Sequence, residues 1–228
     1  MLYVVSTPIG NLGDMTYRAV DVLTSVDLIA AEDTRHTRIL LNHYNIKTPV
    51  ISYHEHSKLR KAREIIDALE AGKDVALVTD AGTPCISDPG YNLIRLALAH
   101  DIKVTAIPGA TAFVAALTLS GLPQHNFIFE GFLPVKTAAR KKKLAQFKEE
   151  ERTFIFYESP HRLVKALKDI QEVLDDPVVV CARELTKKFE EVLKNKASVL
   201  VEHFENSGAK GEFVILINLA EKPESLYP

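Results

Sequence analysis

The sequence predicts an α/β protein built from two α/β domains, and two observations carry that reading. Short runs rich in β-branched residues alternate with longer stretches of helical period along all 228 residues. The alternation is regular in the first half and looser in the second, with the change falling near Gly121–Asn126. The expected division is a domain over residues 1–120 with a mostly parallel sheet and a domain over 121–228 with a mixed one.

In the first half the expected strands are Leu2–Ser6, Asp27–Ala31, Val50–Ser52, Asp74–Thr79 and Val104–Ile107. The clearest helix runs from Ser57 to Ala71. There Leu59, Ala62, Ile65, Ile66 and Leu69 share one face, Lys58, Arg60, Lys61 and Arg63 coat the other, and Gly72 supplies the stop. A second helix is expected to open at Asp88-Pro89, with Asp88 as its cap. A helix over Thr111–Ser120 joins the halves. Beyond it, strands are expected at Phe127–Gly131, Arg152–Tyr157, Val178–Arg183, Phe189–Asn195 and Gly211–Leu219, and helices at Lys136–Lys148, Arg162–Val173 and Ala197–Asn206. Tyr3, Tyr53, Phe127 and Phe129 sit in apolar strand patterns and are expected in the core.

Composition narrows the function classes. Hydrophobic residues make up 46% and charged residues 25%, an ordinary globular balance. The two cysteines, Cys85 and Cys181, lie far apart without metal-ligand spacing, which disfavours a disulfide framework and suits a reducing compartment. No apolar run is long enough to cross a bilayer, and MLYVVSTPIG lacks a basic leader segment, so a soluble cytoplasmic protein is expected. The net charge of -2 means that any nucleic-acid contact must come from local patches.

In open α/β sheets ligands bind beyond the carboxyl ends of the strands. The segments at those ends are Ser6–Asp14, Glu32–Arg38, Asp80–Gly90 and Pro108–Ala112, all loaded with glycine, proline and small polar residues. Those at the opposite ends, such as Ala71-Gly-Lys73, are short and plain. The common phosphate-binding glycine fingerprints and the hydrolase G-x-S-x-G elbow are missing. His54-Glu55-His56 reads as a solvated loop rather than a metal pair, and no metal is expected.

Ser-Thr-Pro-Ile-Gly-Asn-Leu-Gly-Asp at 6–14, Glu-Asp-Thr-Arg at 32–35, Asp-Ala-Gly-Thr-Pro-Cys-Ile-Ser-Asp-Pro-Gly at 80–90, Pro-Gly-Ala-Thr-Ala at 108–112 and Tyr-Glu-Ser-Pro-His-Arg at 157–162 closely resemble the ribosomal RNA small-subunit methyltransferase I family. The resemblance implies the two-domain tetrapyrrole-methylase fold of class III methyltransferases, a homodimer, and S-adenosylmethionine held in the cleft between the domains. It also implies methylation of a cytidine 2′-oxygen in 16S ribosomal RNA. Tetrapyrrole-precursor methylation and a non-catalytic nucleotide-binding role are the alternatives. Gly82-Thr83-Pro84 stands where the wider tetrapyrrole methylases carry Gly-Asp-Pro, a change that matches the ribosomal branch.

Carried over by position, the resemblance implies cofactor contacts from Pro8, Asp80, Ala81, Gly82, Thr83, Ile86, Thr111 and Ala112. From the second domain it implies Phe156, Tyr157, Leu185, Gly211 and Glu212. A ribose hydroxyl is a poor nucleophile that benefits from a proton acceptor. Glu32 and Asp33 beside Arg35 are the expected catalytic group, with Asp33 also suited to capping the helix that follows; Asp80, Glu158 and His161 are further candidates. Arg35, Arg38, Arg162 and Arg183 are suited to phosphate, and Arg140-Lys-Lys-Lys143 is the one dense basic run, a solvated face or an RNA contact.

Overall fold

A computed structural model describes residues 1–54 and 59–220. The chain divides into two compact units, Met1–Thr111 and a second from Ala112 onward. The linking helix α5 (Ala112–Leu119) falls with the second unit, because its apolar surface packs on strands of that unit's sheet.

The first unit is a five-stranded, wholly parallel sheet of β1 (Leu2–Val5), β2 (Leu28–Ala31), β3 (Val50–Ser52), β4 (Val75–Val78) and β5 (Val104–Ile107). Their order across the sheet is β3-β2-β4-β1-β5. All four residues of β4 are buried, as a central parallel strand covered on both faces requires. Helices α1 (Tyr17–Ser25) and α2 (Thr34–His43) cover one face through Ala19, Leu23 and Leu41. Helices α3 (Leu59–Glu70) and α4 (Tyr91–Ala99) cover the other through Ala62, Ile65, Leu93 and Ala97. Right-handed crossovers account for this split: the chain steps toward one sheet edge from β1 to β3 and back toward the other from β3 to β5. The strands leading into α2 and α1 therefore flank β4, whose own helix lies on the opposite face. Both crevices where the strand order reverses border β4.

The expected Ser57 start of α3 lies outside the described residues. The expected start of α4 does not hold. Gly90, not Asp88, is the cap, and it makes no side-chain bond to the helix. The chain enters through a turn with positive φ at Cys85 and Ser87 and a φ of 148° at Gly90, which delays the helix to Tyr91. Gly90 also has no room for a side chain, since a Cβ there would lie 2.4 Å from Cys85 Sγ.

The second unit holds a mixed sheet of β6 (Phe127–Phe132), β7 (Thr153–Glu158), β8 (Val178–Arg183), β9 (Glu191–Lys196) and β10 (Phe213–Ile217), in the order β6-β7-β10-β8-β9. Only β6 and β7 pair in parallel; the other neighbours are antiparallel. Phe154, Phe156, Phe213 and Ile215 enter a core with α6 (Thr137–Ala145), α7 (Pro160–Val173) and α8 (Ala197–Ser207), through Leu144, Leu163, Leu167 and Phe204.

Candidate functional site

The carboxyl-end segments of the first unit converge on the turn after β4. Thr7 and Gly82 exchange backbone hydrogen bonds of 2.9 and 3.1 Å, tying that turn to the segment after β1. Thr83 Oγ1 lies 2.9 Å from Ser6 Oγ and 2.7 Å from Thr111 Oγ1, and donates to the Ala110 carbonyl at 3.2 Å. On the other side, Asp80 accepts from the Asp33 N–H at 3.0 Å, and the Asp80 N–H points to Glu32 Oε2 at 3.5 Å. One turn thus locks the ends of β1, β2 and β5, and it occupies both crevices beside β4.

Close approach between these segments depends on Gly109. A Cβ there would fall 2.9 Å from Ser6 Cβ, well inside van der Waals contact. Gly109→Ala is expected to push the two segments apart and cost about 1–3 kcal/mol, the usual penalty for overpacking. Thermal unfolding of the variant checks this.

The three expected catalytic residues stand together at the end of β2. Asp33 caps α2 by accepting from the Arg35 N–H at 2.8 Å. Its two carboxylate oxygens also take Arg35 Nε at 3.2 Å and Nη2 at 2.8 Å. This bidentate pairing, helped by the backbone bond, holds the Asp33 carboxyl far below the usual carboxylate range. Asp33 is therefore a firmly ionised anchor and a poor proton acceptor. The Arg35 side chain remains 87% exposed, with one edge of its fork spent on Asp33 and the other facing solvent.

Among the expected cofactor residues of this unit, Thr83 and Thr111 are joined directly, while Gly82 is buried in the turn. Ala81 is exposed, and Pro8 and Ile86 are half-buried on the same segments. Ser6 is a member that sequence reasoning missed. It is 4% exposed and reads as the last residue of a strand, and only its contact with Thr83, 77 residues on, reveals it. Among the described residues no group of three His, Cys, Asp or Glu side chains is placed to hold a metal ion.

In the second unit the parity of β7 separates two expected residues. Phe156 is fully buried in the helix-covered core, whereas Tyr157 turns to the other face and its hydroxyl accepts from the Phe113 N–H at 3.3 Å. Phe129 stacks on Phe113 at 4.5 Å and meets Tyr157 edge-on at 5.0 Å. A bulge between Phe129 and Phe132, with Gly131 at φ 64°, brings Phe132 against Tyr157 as well. Phe127, expected in the core, is 41% exposed because β6 is an edge strand.

Leu185 is buried. Gly211 serves the segment after β8: its φ is 91°, and a Cβ would lie 2.4 Å from Glu184 Cγ. The Glu184 carboxylate accepts from Lys187 Nζ at 2.9 Å and from the Glu212 N–H at 3.1 Å, and Lys187 also reaches the Glu212 carboxylate at 2.7 Å.

The basic run on α6 is largely consumed within the protein. Arg140 is 2% exposed, bound to Asp169 and to the carbonyls of Pro134 and Val135. Lys141 pairs with Glu172 at 2.5 Å and Lys143 with Glu130 at 2.7 Å, leaving Lys142 exposed. Arg162 pairs with buried Glu158 and donates to the Leu133 carbonyl, and Arg183 pairs with Glu191. Burial raises the Glu158 carboxyl above its ordinary range, opposed by the Ser159 N–H and by Arg162. His161 is exposed on the first turn of α7, and Arg38 is exposed on α2.

Residues 1–200 match the family of tetrapyrrole (corrin/porphyrin) methylases, and the chain belongs to that family. The fold agrees: the uroporphyrin-III C-methyltransferase of Thermus thermophilus, solved with S-adenosyl homocysteine, superposes with a TM-score of 0.66 at 18% identity, over 96% of this chain and 98% of that one. Within the family the chain falls in the ribosomal RNA small subunit methyltransferase I group. It is 50% identical over 221 residues to the protein of that name from Vibrio cholerae, covering 96% of this chain and 77% of that protein. To the Thermotoga maritima protein of that name it is 46% identical over 217 residues, covering 95% and 97% respectively.

Proposed function

We infer that this chain is an S-adenosylmethionine-dependent methyltransferase that modifies the 2′-oxygen of a cytidine ribose in 16S ribosomal RNA. The observation that carries the reading is the 46–50% identity, over nearly the whole chain, to proteins named for methylating small-subunit ribosomal RNA.

The residues of the first unit fit the cofactor. A folded adenosyl amino acid needs hydroxyl and backbone partners on a preformed surface, and the Ser6–Thr83–Thr111 cluster with the Ala110 carbonyl supplies them. Thr79, at the end of β4, also has a buried hydroxyl with no partner among the described residues, an atom that a polar ligand or solvent satisfies. Bound S-adenosylmethionine supplies a methyl group already activated by its sulfonium, which leaves the protein the tasks of alignment and proton removal.

Glu32 takes the proton of the 2′-hydroxyl in this reading. It stands beside Asp80 at the crevice, with its Oε2 3.5 Å from the Asp80 N–H. Arg35 is fixed by Asp33 and turns its free edge toward an RNA phosphate, with Arg38 one helical turn further on. Such a substrate places the protein with the ribosome in the cytoplasm. We propose a homodimer as well; the exposed Phe132 and Val135 give a second copy apolar surface to cover.

Nucleoside analysis of 16S RNA from cells lacking the gene tests the assignment. One 2′-O-methylcytidine is expected to disappear and to return when the gene is supplied on a plasmid. An unchanged nucleoside profile would refute it.

A further inference from the structure

Thr83 has one hydroxyl proton and three oxygen neighbours. A hydroxyl donates once and accepts twice. The Ala110 carbonyl can only accept, so all three contacts are hydrogen bonds in a single arrangement. In that arrangement Thr83 donates to the Ala110 carbonyl, and the contacts with Ser6 and Thr111, in which either oxygen could donate, are then both donated to Thr83. Both outer hydroxyls thereby spend their protons inward and keep only lone pairs for anything that approaches. Thr111 is the more accessible of the two; Ser6 is 4% exposed.

We propose that Thr83 is a positioning residue that sets Ser6 and Thr111 as hydrogen-bond acceptors, so that this part of the site selects a ligand group that donates, such as an amino-acid ammonium. The inference rests on the cofactor reading above, because S-adenosylmethionine and its thioether product both carry that ammonium. A simple space-filling role for Thr83 would instead be indifferent to what the ligand donates.

Calorimetry on Thr83→Val and Thr83→Ser separates the two. Two ligands are compared: S-adenosylhomocysteine, which has the ammonium, and 5′-methylthioadenosine, which lacks the amino-acid portion. Thr83→Val is expected to weaken S-adenosylhomocysteine about tenfold, the equivalent of one hydrogen bond. It should leave 5′-methylthioadenosine unchanged, and Thr83→Ser should restore the wild-type pattern. Amide exchange at Ala110 and Thr111 in the unliganded valine variant should quicken. Thr83→Ala is measured in the same way if the valine does not pack. Equal losses for both ligands, or no loss for either, would overturn the inference. Failure of the wild-type protein to bind S-adenosylhomocysteine would instead remove the cofactor reading, and this inference with it.

Discussion

Glu32→Gln is expected to lower kcat by roughly 10²–10⁴-fold, the range over which a positioned proton acceptor contributes. Cofactor affinity should barely move, because the Ser6–Thr83–Thr111 cluster lies at the other crevice, between β4 and β1, with Thr111 joining from the segment after β5. Asp33→Asn is expected to behave differently. It keeps an oxygen for the α2 cap but loses the paired charge that orients Arg35. Its cost should therefore appear mainly in the KM for RNA. If Asp33→Asn lost as much kcat as Glu32→Gln, with KM unchanged, the roles would have to be exchanged. Asp33 stays ionised well below the usual carboxylate range, so any acid limb in the rate profile comes from another group.

Asp169→Ala is expected to be the most destabilising of the changes considered, at about 3–5 kcal/mol, because it leaves a buried guanidinium without its counter-charge. The two side chains are 3% and 9% exposed and approach to 2.6 Å. Denaturant unfolding measures the loss. The double change Arg140→Met with Asp169→Leu removes both charges together and is expected to recover most of the stability, since apolar replacements of a buried pair are often neutral or better. Failure of that rescue would mean that Arg140 matters chiefly through the carbonyls of Pro134 and Val135.

This buried pair also shows where sequence reading stops. Arg140-Lys-Lys-Lys143 has the look of a basic surface, but the helix turns Arg140 inward to a partner 29 residues away. Nothing local in the sequence signals that partner. The same holds for Phe127, whose exposure follows from β6 lying at the sheet edge, a consequence of strand order. By contrast, Val75–Val78 and Phe213–Ile217 are unbroken apolar runs, legible because each is buried on both faces of its sheet.

The loaded carboxyl-end segments were legible too, since glycine and small polar residues gather where backbone must approach a ligand. Their joining was not. Ser6 and Thr83, or Asp33 and Asp80, meet only because β4 is inserted between β1 and β2. Asp88 misled because its Asp-Pro signal is a good local cap, and Gly90 with the Cys85–Ser87 turn overrides it.

The central claim is tested most directly by methyl transfer from radiolabelled S-adenosylmethionine to small ribosomal subunits isolated from cells lacking this protein. Label is expected on the ribose of one cytidine, approaching one methyl group per subunit, with little transfer by Glu32→Gln. Unlabelled subunits from a preparation that binds S-adenosylhomocysteine, or label on a base rather than a ribose, would contradict it.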